Sequence, residues 1–187
     1  MRRGAVVVVN HSMSENPKDP FQILGLEPTF DLDMTVLDEA YYARQELTHP
    51  DRFVYHSDPE RQAASSQAAL LNQAYETLKM PTLRAKVLLK LRGIDVKDDD
   101  TTAKDPVVLE EMLDLQEALA QATTSPDLSE IKDKIQDQLQ SVMNSFSSAI
   151  NLNHDHALPQ LFLRLSYLSK LSADIKTRQR QSSLKRL

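Results

Sequence analysis

The sequence predicts an all-α protein built from two helical units, and three observations carry that prediction. Leu, Ala, Gln, Glu and Lys dominate the body of the chain, and these residues favour helix. Only three glycines occur in 187 residues. No window alternates apolar and polar residues as a half-buried strand would, whereas apolar residues recur at spacings of three and four. The length suits one ordinary domain or two small ones.

The elements follow from their punctuation. Asp19-Pro20 opens a short helix that ends near Gly25, with Phe21 and Leu24 on one face. Asp33 caps a second helix running to about Leu47, whose core-side residues are Val36, Leu37, Ala40, Tyr41, the stem of Arg44, and Leu47. Asp58-Pro59 opens a third, in which Ala64, Ala68, Leu71, Tyr75 and Leu78 form one stripe; Pro81 ends it. An amphipathic stretch from Thr82 to Arg92 closes on Gly93. Residues 93–104 read as a linker, whose Asp98-Asp99-Asp100 run is a solvated charge run. Asp105-Pro106 starts a helix reaching about Ala122. Ser125-Pro126 starts a longer one to about Leu152, marked by Ile131, Ile135, Leu139, Val142, Phe146 and Ile150. A last helix spans roughly Asp155 to Arg180, with Leu158, Leu161, Leu165 and Leu168 inward. Three antiparallel helices with short loops make a bundle. Residues 1–17, with the apolar run Ala5 to Val9, are expected as a flexible tail, a degenerate organellar presequence being the alternative.

Composition excludes several classes of function. Apolar residues at 41% and charged residues at 26% describe a globular chain. A formal charge of −5 argues against general nucleic-acid binding, which needs a basic face to displace counterions. The absence of cysteine excludes disulfides, thiolate nucleophiles and Cys-ligated metal. No apolar run approaches the length of a membrane span. Charge is also sorted: seven acids and no Lys or Arg lie between Asp105 and Ile131, and seven basic residues follow Phe162 against Asp174 alone. Attraction between neighbouring helices and a charged recognition surface both account for this.

The stretch "ELTHPDRF" (residues 46–53) poses the functional question. Pro50 lacks a backbone donor and disfavours the α region for the residue before it, so the second helix ends at about Thr48. The next helix opens at Asp58, which leaves a loop of about nine residues where a helical hairpin needs only two to five. Such length tends to carry function. A turn with an Asx-type bond from Asp51 explains the proline and aspartate, but not His49 or the length. His49 and Asp51 could orient one another as acid and base, yet no nucleophile motif, phosphate loop or HExxH accompanies them. His154-Asp155-His156 invites a metal, but residues two apart on a helix diverge by about 200°, so capping by Asp155 is the expectation.

Taken together these residues resemble a known family. A short helix with F-x-x-L-G-L (Phe21, Leu24, Gly25, Leu26), an amphipathic helix, HPD and a long third helix look like the J domain of DnaJ-type co-chaperones. "LNQAYETLKMPTLRAKVLLKLRG" (Leu71 to Gly93) and the HPDRF form of the loop are similar to HscB proteins, the J-type co-chaperones of iron–sulfur cluster assembly. The resemblance covers residues 19 to about 180. It implies a J domain at 18–92, a linker at 93–104 and a C-terminal three-helix bundle at 105–187, arranged as an L. It further implies no enzymatic activity and no cofactor or metal. The partners it implies are two: an HscA- or DnaK-class chaperone whose ATPase is stimulated, and the IscU-type cluster scaffold. Neither nucleic acid nor membrane is implied. Cytoplasm is the expected compartment, with the mitochondrial matrix as alternative. A general J protein serving unfolded clients is the rival, though no Gly/Phe-rich segment or zinc-finger domain is present.

Carried onto this chain, the chaperone-binding residues are His49, Pro50 and Asp51, with Arg44 and Arg52 as supporting charges. J domains usually show several bases along the second helix; here Arg44 is the only one, beside Glu46 and Leu47. The scaffold-binding residues are Leu109, Leu113, Asp114, Glu117, Gln121 and Tyr167. A helical wheel bears on the same region: with Val108 as zero, Met112, Leu115 and Leu119 fall within about 40° and form a core stripe, while Leu109 and Leu113 fall at about 100° and 140°. An apolar pair beside acids, off the core, has the composition of a small partner site.

Overall fold

The computed structural model describes residues 19–48, 56–96, 106–122 and 124–184, and all regular structure among them is helical. Seven α-helices follow one another: α1 Pro20–Leu24, α2 Met34–Thr48, α3 Asp58–Lys79, α4 Pro81–Leu91, α5 Pro106–Gln121, α6 Ser125–Asn151 and α7 Leu158–Leu184. A 3₁₀ turn, Asp155–Ala157, precedes α7.

Local chemistry sets most of these limits. The Asp19 carboxylate accepts from the Gln22 N–H at 3.0 Å, and Asp33 accepts from the Thr35 N–H at 2.8 Å, so both expected caps are made. At α3 the cap is Ser57, whose N–H and hydroxyl both donate to Glu60 (2.9 and 2.6 Å). Thr124 and Asp127 make the reciprocal pair at α6. Helices α1, α4 and α6 end alike. A residue with positive φ (Gly25, Gly93, Asn153) follows the last turn, and the next N–H reaches back five residues, as Leu26 does to the Phe21 carbonyl at 2.9 Å. That is the Schellman arrangement, which favours glycine or asparagine.

Helices α2 and α3 form an antiparallel hairpin on α1. Phe21, Leu24, Leu37, Leu71, Ala74 and Leu78 are buried between them. Polar bonds fasten the same seam: the Tyr75 hydroxyl donates to Asp38 and the Tyr41 hydroxyl to Asn72, each at 2.8 Å, with the two rings 4.4 Å apart. Val36 and Leu47 depart from expectation, being 45% and 64% exposed. The buried face of α2 centres on Leu37, Tyr41 and Arg44, which turns both residues to its outer edge.

In the second half, α6 and α7 pack along their length through Ile135, Val142, Phe146, Leu158, Leu165, Leu168 and Ile175. Helix α5 lies against both through Val108, Leu115 and Leu119. The stripes expected on all three helices face the core.

One buried apolar cluster spans both halves. Phe30 meets Phe146 with ring centroids 4.8 Å apart, and the Ser147 hydroxyl donates to Asp31. Arg84 is buried and donates to the carbonyls of Leu78 (2.7 Å) and Phe30 (2.6 Å), with its guanidinium near the Phe30 ring. Burial holds its pKa below the ordinary arginine value, against the opposing pull of Asp31. Arg92, at the end of α4, donates to the Ile150 carbonyl (2.7 Å), Asn153 (3.2 Å) and Asp155 (2.6 Å).

That last contact corrects the reading of Asp155. Its carboxylate binds Arg92 instead of capping α7, which begins three residues later than expected. Nor do His154 and His156 diverge as they would two apart on an α-helix. His156 lies in the 3₁₀ turn and His154 immediately precedes it, and their rings are 6.0 Å apart.

Candidate partner-binding surfaces

Helix α5 carries two adjacent apolar rows, because Val108 is followed by Leu109 and Met112 by Leu113. Val108, Leu115 and Leu119 are 3–4% exposed, while Leu109 and Leu113 are 45% and 51% exposed. Asp114, Glu117 and Gln121, also exposed, continue that outer face. The structure therefore brings five of the six expected scaffold-binding residues onto one solvent-facing surface: two leucines with two carboxylates and an amide beside them.

The sixth, Tyr167, projects from α7 and is partly buried. Its hydroxyl donates to the Met112 carbonyl at 2.7 Å, and burial raises its pKa above the ordinary tyrosine value. With Val108, Glu111, Met112, Leu115, Gln138, Arg164 and Leu168 it lines a cleft with space for about one water molecule. Arg164 reaches Glu111 at 2.5 Å, and Arg178 donates to the Leu119 carbonyl at 2.7 Å. The sorted charge is thus spent in part on joining α5 to α7, as the first of its two readings requires. Sequence reasoning passed over both arginines; the run of bases after Phe162 is the signal that could have found them.

At the other end, His49, Pro50, Asp51 and Arg52 lie outside the described residues. Arg44 is partly buried: its Nη1 donates to the Ala40 carbonyl at 3.3 Å, and its guanidinium packs over Gly25 at the end of α1. Tyr42 and Leu47 are 62% and 64% exposed, and the exposed carboxylates Glu39 and Glu46 lie between them on the outward side of α2. Among the described residues no three His, Asp or Glu side chains are grouped to hold a metal ion. No helix among them is long and apolar enough to cross a membrane.

Comparison with known proteins decides the family. Residues 104–176 match the family model described as the HSCB C-terminal oligomerisation domain. The chain is 31% identical to a co-chaperone protein HscB homologue of Burkholderia thailandensis over 158 residues, spanning 83% of this chain and 90% of the relative. The chain belongs to the HscB co-chaperone family. An HscB homologue of Ralstonia nicotianae is 34% identical over 82% of this chain and 90% of its own. The crystal structure of human co-chaperone protein HscB superimposes with a TM-score of 0.82 at 26% identity, covering 96% of this chain and 91% of the human one. The HscB relatives are named as co-chaperones and not as enzymes, and the helical hairpin joined to a bundle is the architecture expected from the resemblance.

Proposed function

We propose that this HscB-type chain is a non-enzymatic adaptor in iron–sulfur cluster assembly. Its J domain (residues 18–92) engages an HscA- or DnaK-class chaperone through His49, Pro50 and Asp51, with Arg44 and Arg52 in support, and stimulates ATP hydrolysis by that chaperone. Its bundle (residues 105–187) binds an IscU-type scaffold through Leu109, Leu113, Asp114, Glu117, Gln121 and Tyr167. The cluster is cargo on the scaffold and not a resident group of this chain.

The observation that carries the reading is the exposed leucine pair on α5. Large apolar side chains left half in water beside carboxylates are what a small partner site needs: desolvation at the centre and polar groups around it. The contact between the two halves supports the second part of the reading. With Phe30 on Phe146 and Arg92 on the end of α6, scaffold and chaperone sites share one packed body. Holding both partners on one body converts their encounter into an intramolecular event and raises the scaffold's effective concentration at the chaperone.

A co-purification experiment tests this. Immobilised scaffold is expected to retain the wild-type chain, and to retain the chaperone only when the chain is present. Retention of chaperone by scaffold to the same extent without the chain would remove the adaptor role.

A further inference from the structure

Why does α5 present Leu109 and Leu113, and turn Val108 and the partly buried Met112 inward? Rolling the helix about its axis by one residue, about 100°, would exchange the two rows. The N-terminal half of α5 offers hydrophobic burial little basis for choosing, since Val108-Leu109 and Met112-Leu113 are adjacent apolar pairs. Among the described side chains only Val108, Leu115 and Leu119 anchor α5 as fully buried residues, and a stripe one side chain wide constrains roll weakly.

Polar contacts from α7 supply what the apolar stripe lacks. Arg164 holds Glu111 at 2.5 Å, and Glu111 lies at about −60° on the wheel, across the core stripe from Leu109 and Leu113. Arg178 donates at 2.7 Å to the Leu119 carbonyl, one of the last four of α5 and so without a partner within that helix. The Tyr167 hydroxyl reaches the Met112 carbonyl between them. A roll of one residue would carry Glu111 away from Arg164 and leave these contacts broken at both ends of the helix.

We propose that Arg164 and Arg178 are positioning residues that set the roll of α5, and thereby decide which apolar row faces the scaffold. This rests on the scaffold reading above for its functional consequence, but the roll itself is testable without any partner. The chain contains no cysteine, so Leu113→Cys and Met112→Cys each introduce a unique thiol. In the otherwise unchanged chain, Cys at 113 is expected to alkylate about tenfold faster than Cys at 112, following their exposure. Adding Arg164→Ala with Arg178→Ala is expected to lower that ratio at least to about a third, and Arg164→Lys alone is expected to preserve it, since the ammonium still reaches Glu111.

Scaffold affinity of the Arg164→Ala, Arg178→Ala chain, measured with native Met112 and Leu113, is expected to fall in parallel. An unchanged thiol ratio, with helicity by circular dichroism intact, overturns the proposal. So does lost scaffold affinity at an unchanged ratio, which would make the arginines direct contacts. If the unmodified chain binds no scaffold, the scaffold reading fails while the thiol ratio still judges the roll.

Discussion

Replacing Leu109 and Leu113 together by alanine isolates the α5 surface from the rest of the molecule. Fully burying one leucine side chain from water is worth about 1.5–3 kcal/mol. Each of these leucines is roughly half exposed, so a partner covering both can recover about half of that from each. The pair therefore contributes about 1.5–3 kcal/mol, or roughly a 10- to 150-fold change in Kd. Titration calorimetry against an IscU-type scaffold reads this directly. Because both side chains stand in solvent, the thermal unfolding midpoint is expected to move little, and stimulation of the chaperone in the absence of scaffold is expected to be unchanged. A Kd within about twofold of wild type would refute the assignment of this face, since it would leave less than about 0.5 kcal/mol for two large apolar contacts. A large drop in melting temperature would refute it differently, by showing that the leucines serve the fold.

Three further outcomes follow from the packing. Phe146→Ala removes a fully buried ring at the meeting of the two halves and is expected to cost about 3–5 kcal/mol in denaturant unfolding; a loss under about 1 kcal/mol would show that the Phe30 contact adds little. Gly25→Ala places a Cβ at positive φ and in collision with the Arg44 guanidinium, so a loss of at least about 1–2 kcal/mol is expected from the left-handed backbone alone. Hydrogen bonds from Ser57 lower the Glu60 pKa below its ordinary 4.5. A depressed carboxylate pKa adds stability that is present above the unfolded value and lost as pH falls through the folded one, so Ser57→Ala is expected to flatten the stability profile below pH 4.5; an unaltered profile would remove the role of this cap.

Much of the fold was legible because helix limits are local. Proline stands at the first or second position of α1, α3, α4, α5 and α6, and an aspartate or hydroxyl residue precedes or begins several of them, so the starts could be read within a residue or two. The wheel of α5 separated Val108 from Leu109 for the same reason: helical angle is fixed by spacing. What escaped was of another kind. Phe30 with Phe146 and Ser147 with Asp31 are each 116 residues apart, and nothing near either partner signals the other. Asp155 has the sequence appearance of a cap, and only the approach of Arg92 from α4 diverts it. Val36 and Leu47 are apolar at near-helical spacing, yet the hairpin seam centres on Leu37 and Tyr41, leaving them outside.

The question raised by "ELTHPDRF" has also changed. Arg44, the single base on α2, lies over Gly25, while the exposed side of α2 carries the carboxylates Glu39 and Glu46 between Tyr42 and Leu47.

Steady-state ATP hydrolysis by the partner chaperone tests the adaptor account most directly. The chain alone is expected to turn over no ATP, to accelerate hydrolysis by the chaperone, and to do so further when scaffold is added, with His49→Gln abolishing the acceleration while scaffold affinity is retained. Hydrolysis by the chain itself, lost in His49→Gln, or a chaperone rate unmoved by saturating wild-type protein, would contradict it.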